Sequence, residues 1–311
     1  MAGQLVLKSQ NAVDNIIDLP DINFYINRVV ADGGIIYDTN ALLDVFSFIY
    51  ANGISEWEVF SAVNPAWGIK YDKNSGNVLK LYSIFNESGD MIVTNGTIPA
   101  KLNSDLTVPS VYFGGTMTTY MYSVGTVSDV EAFGAATAYL VPQLASYGGS
   151  ANFALGLLYS KIDHDANSPN GAASPYTAAS WVLVRPNSTD TTLTSWTNFA
   201  SAWGATGFVG SNAITRYESA KPLSIYADSA GLKAFNNGVL VTSDMTVTQL
   251  QTQKNNLGFW FGSSITADGN QAASYFIGHL IENWVLVNTD SEKLIKISER
   301  INDKYYAVIP H

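Results

Sequence analysis

The sequence predicts a mainly β protein: an antiparallel two-sheet sandwich over residues 65–311, a small segment with short helices over residues 1–64 in front of it, and one helix at the C-terminus. Three observations predict this. From about Pro65 onward the chain breaks into short β-prone runs separated by Gly, Asn, Asp, Ser and Pro, and turn signals spaced roughly 8–12 residues apart mark antiparallel sandwiches and barrels. No helix-length pattern alternates with these runs, which argues against a parallel α/β sheet. Helical periodicity is concentrated instead near the two ends of the chain.

In chain order, Asp21 to Val30 reads as a short helix placed just after Pro20 and ending before Asp32-Gly33-Gly34. Asn40 to Ala51 reads as a second helix, with Asn40 or Thr39 as N-cap and a stop at Asn52-Gly53. It is apolar on nearly every side, so the following domain or a partner subunit is expected to cover it. Strands are expected at Val108–Phe113, Trp181–Arg185, Leu223–Ala227, Leu232–Phe235, Val239–Thr242, Leu257–Gly262 and Tyr275–Val287, with turns at 228–231, 236–238 and 268–270. Trp196, Phe199 and Trp203 recur at helical spacing in a Ser/Thr-rich stretch ending at Gly204, which reads as a helix packing these rings into the core. Thr289-Asp-Ser-Glu292 is a capping box, and Leu294, Ile297, Ile301 and Tyr305 then fall on one face of a helix running to about Tyr306. That helix is expected on the outside of the sandwich.

Composition narrows the function classes. Charged residues make up 14% of the 311, where roughly 25% is usual, and the 17 tyrosines suit large subunit contacts. A homo-oligomer is expected on this ground. The net charge of −10 repels phosphate backbones, so nucleic acid is not an expected partner. With no cysteine there are no disulfides or thiolate metal sites. The N-terminus shows no secretory signal, and no apolar run is long enough for a membrane span.

Several segments carry a family resemblance. Leu81-Tyr-Ser-Ile-Phe-Asn-Glu-Ser-Gly-Asp-Met91, Asn95-Gly-Thr-Ile-Pro99 and Val108-Pro-Ser-Val-Tyr-Phe-Gly-Gly115 resemble the opening sequence of concanavalin A-like (laminin-G-like) jelly-roll domains. Leu223-Ser-Ile-Tyr226 with Phe235-Asn-Asn-Gly-Val-Leu-Val241 looks like the family's distal hairpin, and Phe259-Trp-Phe-Gly262 like a later strand. Tyr275-Phe-Ile-Gly-His-Leu-Ile-Glu282 and the terminal helix ending Asp303-Lys-Tyr-Tyr306 are similar to its closing elements. Arg28-Val-Val-Ala-Asp-Gly-Gly34 and Trp67-Gly-Ile-Lys-Tyr71 look like the segment preceding such domains in phage structural proteins. The resemblance covers about two-thirds of the chain by order and spacing; residues 116–220 match loosely. It departs from the family at Gly114, where an Asp is frequent, and at Phe85-Asn-Glu-Ser-Gly89. It implies a jelly-roll fold and a virion setting: a capsid decoration or tail-fibre component, made in the host cytoplasm and exposed on the particle, with other virion proteins as partners and, by analogy with that setting, a homotrimer as one arrangement.

Chemistry-bearing motifs are sparse. Gly-x-Ser-x-Gly, Gly-x-x-x-x-Gly-Lys, Gly-x-Gly-x-x-Gly and His-Glu-x-x-His are all absent. A glycosidase on this fold would draw its paired carboxylates most simply from Glu-x-Asp-x-Glu along one strand, and that pattern is missing. Glu56 and Glu58 flank Trp57 and would share a strand face, reading either as a carboxylate pair or as a solvated face. Asp163, Asp165 and Asn167 alternate as calcium ligands do, but the loop lacks the expected Gly (Ser168) and Glu (Ser174), and it reads equally as a polar surface loop. Beyond that calcium no cofactor is expected. His164 reads as exposed in that loop, and His279 as a core or interface residue. Trp260 and Trp284 read as core, while Tyr112, Tyr120 and Tyr122 could line an open surface. The sequence therefore reads as a non-enzymatic virion structural protein carrying a lectin-like sandwich. A host-glycan receptor module is the alternative, and a glycan hydrolase or lyase of the same fold comes third.

Overall fold

A computed structural model describes residues 20–104, 106–114, 119–127, 131–140, 153–160, 180–186, 192–199, 213–215, 223–228, 231–236, 239–245, 257–261 and 277–305. Helices α1 (Ile22–Ala31) and α2 (Thr39–Asn52) come first. Strands β1 (Val59–Val63), β2 (Ile69–Tyr71), β3 (Val78–Leu81) and β4 (Met91–Thr94) follow. Next are β5 (Lys101–Asn103), β6 (Ser110–Gly114), β7 (Tyr120–Ser123), β8 (Phe133–Leu140) and β9 (Phe153–Ser160). Then come β10 (Ser180–Pro186), β11 (Thr192–Phe199), β12 (Ala213–Thr215), β13 (Leu223–Asp228) and β14 (Gly231–Asn236). The chain closes with β15 (Val239–Met245), β16 (Leu257–Phe261), β17 (Ile277–Val287) and helix α3 (Ser291–Tyr305).

Among the described residues the strands form two sheets, and every pairing between named strands is antiparallel. One runs β12-β11-β10-β9-β16-β7-β4-β3-β2 and the other β15-β14-β13-β8-β17-β6-β5. The long β17 is the spine of the second sheet. One of its edges carries β8, and the other carries β6 along its first residues and β1 along its last. The sheets meet through inward-facing aromatics: Phe113 of β6 lies 5.7 Å from Phe261 of β16, and both are buried. The molecule is thus the expected two-sheet antiparallel sandwich with a C-terminal helix.

Both N-terminal helices form where the sequence places them. Asp21 caps α1, its side chain accepting from the Asn23 and Phe24 amides. The cap of α2 is Asp38, not Asn40 or Thr39. Its extended backbone lets Oδ1 accept from Asn40 N and Ala41 N at 2.9 and 3.0 Å, which a residue already inside the helix cannot do. Asp290 likewise caps α3, accepting from Glu292 N and Lys293 N, in place of the Thr289 of the expected box. The expected Trp196–Trp203 helix is corrected: Thr192–Phe199 is strand β11, paired with β10 from Leu193 to Phe199. Thr and aromatic residues favour a pleated surface, and cross-strand pairing outweighs the three-residue recurrence of rings. Trp203 lies outside the described residues.

The apolar helix α2 is covered by its own chain. Leu42, Val45, Phe46 and Ile49 share one core with Tyr25 and Val29 of α1, Trp67, Trp284 of β17, and Leu294, Ile297 and Ile301 of α3. Trp284 sits at its centre, edge-on to Phe48, Trp67 and Phe85 at 5.9–6.5 Å. The helices therefore form a layer on the second sheet. The expected boundary after residue 64 has sheet on both sides of it, because β1 already pairs with β17.

Two of the family-like segments acquire a steric reason. In Phe85-Asn-Glu-Ser-Gly89, a Cβ on Gly89 would stand 2.1 Å from the Phe60 carbonyl oxygen, so nothing larger fits. At Gly114, where the family often has Asp, a Cβ would meet Ile98 Cγ2 at 2.4 Å. The two segments likened to phage proteins meet directly: Lys70 ion-pairs with Asp32 at 3.2 Å, and Ile35, next to the first segment, bridges Ile69.

Candidate functional site

The buried charges come first, because they determine what is left for a ligand. Glu282 is fully buried and its carboxylate is saturated. Oε1 accepts from Trp284 Nε1 at 2.7 Å and Arg300 Nη1 at 2.6 Å, and Oε2 from Tyr305 Oη at 2.6 Å and Asn64 Nδ2 at 3.1 Å. Burial, together with the Glu282 charge, pushes the Tyr305 hydroxyl well above its ordinary range. Asp90 is the second such group, accepting from Arg28 at 2.7 Å, the Ser83 amide at 2.8 Å and Lys80 at 2.9 Å. The first cluster pins α3 to β17, and the second pins α1 to the loop after β3.

Three carboxylates at the same joints are held below the usual range. At Asp32 partial burial pushes up, but hydrogen bonds from Tyr82, Lys70 and Lys80 outweigh it and leave the carboxyl at about 2. At Asp44 burial is likewise outweighed, by Lys304 and Arg300. At Glu58 it is outweighed by Lys293 and Ser55. A depressed folded value stabilises above the unfolded value and is lost as pH falls through the folded one. The helical layer is thus expected to loosen between about pH 4 and pH 2. Tryptophan fluorescence of Trp67 and Trp284 followed by acid titration should report a transition in that window, and an unchanged signal down to pH 2 would contradict it.

What faces outward is different in kind. Trp57 is 73% exposed, whereas Trp67 and Trp284 are fully buried. It stands on the turn that joins α2 to β1, and that turn is held at both ends. Glu58 accepts from the Ser55 amide at 3.0 Å and hydroxyl at 2.8 Å, and the Glu58 amide donates to the Ser55 carbonyl at 3.2 Å. Lys293 of α3 ion-pairs with Glu58 and donates to the Gly53 carbonyl at 3.1 Å. Glu56 and Glu58 accordingly lie in a turn, not on a shared strand face, because Glu58 turns back to cap Ser55. One helical turn beyond Lys293, Lys296 lines a cleft of about 550 Å³ between α2 and α3, with Asn52, Phe48, Glu299 and Asp303. The candidate site is thus an indole on a rigid turn; the α2–α3 cleft is a separate feature, lined mainly by charged side chains with the Asn52 amide and the Phe48 ring.

The other sequence candidates fall as follows. Tyr120 is buried against Tyr122 at 6.2 Å in β7, and Tyr112 lies in the other sheet, so the three do not line one surface. His279 is half-buried in β17, its Nδ1 3.0 Å from Ser110 Oγ and its ring 4.9 Å from Tyr112. Trp284 is core. Asp163, His164, Asp165 and Asn167 lie outside the described residues, as do the side chains of Trp181, Trp196 and Trp260. Among the described residues no group of three His, Asp or Glu side chains is placed to hold a metal ion, and no helix is long and apolar enough to cross a membrane. Sequence reasoning had Trp57 in hand but no way to see its exposure. It missed Tyr37 and Asn40, which line a second groove.

No protein-family model matches the chain, and no curated protein matches it. Solved structures do. Domain 4 of an extracellular arabinanase from Geobacillus stearothermophilus, in complex with arabinotriose, is 13% identical at a TM-score of 0.43, covering 78% of this chain and 98% of that one. A Trypanosoma rangeli sialidase in complex with 2,3-difluorosialic acid is 12% identical at a TM-score of 0.44, with 79% of this chain covering 33% of the sialidase. A heptameric SAP-like pentraxin from Limulus polyphemus is 11% identical at a TM-score of 0.41, covering 62% of this chain and 79% of that one. These values bear on neither substrate nor mechanism. They do correct one expectation, that the chain is not an enzyme. An arabinanase and a sialidase stand among its structural neighbours, and this chain spans one domain of the first and a third of the second.

Proposed function

We propose that this chain is a glycan-binding β-sandwich module carried on a bacteriophage particle, with Trp57 as its stacking platform. The carrying observation is a 73% exposed indole on a turn fixed by Ser55, Glu58 and Lys293. A rigid ring with a polar rim suits the apolar face and hydroxyl edge of a sugar. The particle setting is supported by the sequence likeness of residues 28–34 and 67–71, which the Asp32–Lys70 ion pair joins. Low charge and exposed Phe24, Val30 and Leu43 suit contact with other particle proteins or further copies, a trimer among them.

Glycan-array binding by the whole chain should fall about tenfold or more in Trp57→Ala, equivalent to about 1.4 kcal/mol. A blank array for the parent chain contradicts the glycan reading, and a variant that binds every glycan as the parent does contradicts Trp57 as the platform. A mass-spectrometric census of purified particles tests the setting, and absence of the chain from them refutes it.

A further inference from the structure

A groove of about 450 Å³ opens at the far end of α2 from Trp57. One wall is Tyr37, Asp38, Thr39 and Asn40, and the other comes from the loop before β6, through Ser104 and Thr107. We propose that this groove is a second saccharide site, selective for neutral sugars. It rests on the glycan-binding reading above and adds a separate site and a ligand class to it.

The Tyr37 ring is 40% exposed, and its segment is anchored on both sides. Asp38 N donates to the Ala66 carbonyl at 2.8 Å, and Ile35 bridges Ile69. The ring is therefore presented by a fixed backbone, which lowers the ordering cost of binding. Leu106 and Pro109 supply an apolar floor beside it. The remaining lining offers hydroxyls from Thr39 and Ser104 and an amide from Asn40, all at exposed positions. An apolar floor, one aromatic ring and a few short polar groups make up a site for a ring with one CH face and a hydroxyl edge.

Charge selects the class. Among the described residues that line the groove there is no lysine or arginine, and the ionisable acid is Asp38. The free amides at the start of α2, which could have drawn an anion, are already taken, since Asp38 Oδ1 accepts from Asn40 N and Ala41 N. Phosphorylated, sulfated or acidic sugars therefore meet the Asp38 carboxylate and, among the described lining residues, no cation, on a chain of net charge −10.

The test is a printed glycan array carrying neutral oligosaccharides and 3′-sialyllactose, probed with the full chain and with Tyr37→Ala, Tyr37→Phe, Asn40→Ala and Trp57→Ala. A set of neutral glycans should lose about tenfold in Tyr37→Ala, weaken in Asn40→Ala, and persist in Tyr37→Phe and Trp57→Ala. Thermal unfolding unchanged in Tyr37→Ala separates loss of binding from loss of fold. If Tyr37→Ala and Asn40→Ala reproduce the parent pattern while Trp57→Ala does not, the second site is refuted and the first survives. Stronger capture of 3′-sialyllactose at the groove refutes the selectivity. No glycan bound by the parent chain overturns both readings.

Discussion

Glu282→Ala is expected to destabilise the protein by about 3–5 kcal/mol, the usual cost of stranding one partner of a buried ion pair. The substitution leaves Arg300 buried beside Phe48 and Trp67, with Asp44 as its remaining anion. It also removes the acceptor of Trp284 Nε1 and a partner of both Tyr305 and Asn64. Chemical denaturation should show the loss as a lower midpoint at unchanged slope. Adding Arg300→Met to Glu282→Ala should recover part of it, because the stranded charge goes with the arginine. A loss under about 1 kcal/mol, the scale of an exposed pair, would mean that the cluster is open to water.

Asp90→Ala is the second large effect, at about 3 kcal/mol. Arg28 would keep its 2.5 Å bond to the Ser83 carbonyl but lose Asp90 as its carboxylate partner, while Lys80 still reaches Asp32, so the stranded charge is partly rehoused. The Ser83 amide also loses its acceptor. Asp90→Asn, which can still accept from that amide, should cost less than Asp90→Ala. Because Asp90 is fully buried, 1 M salt should change neither loss much. Equal effects of the two variants, or recovery in salt, would contradict this.

Most of the sandwich was legible because its signals are local. The strands at Leu223–Asp228, Gly231–Asn236 and Val239–Met245 follow from β-prone runs broken by Gly and Asn, and α3 follows from Leu294, Ile297 and Ile301 on one face. The misses share one physical origin, a tertiary partner invisible along the chain. Thr192–Phe199 is a strand because β10 lies beside it. Glu58 caps a turn because Lys293, 235 residues away, holds it there. The Tyr37 groove could not be seen because its second wall arrives from Ser104 and Thr107. Glu282 was visible within a family-like strand, but its role depends on Arg300 and Asn64, which no local pattern connects to it.

Both candidate sites sit at seams between the helical layer and the sandwich, so the account requires the two to behave as one body. Native-state hydrogen exchange on the full chain measures this. The amides of Leu42, Val45 and Ile49 in α2 should open with the same free energy as those of Trp284 and Val285 in β17, since they share one core. Exchange of α2 several kcal/mol easier than that of β17 would instead describe a detachable anchor on an independent sandwich, and neither seam would then present a fixed ring to a sugar.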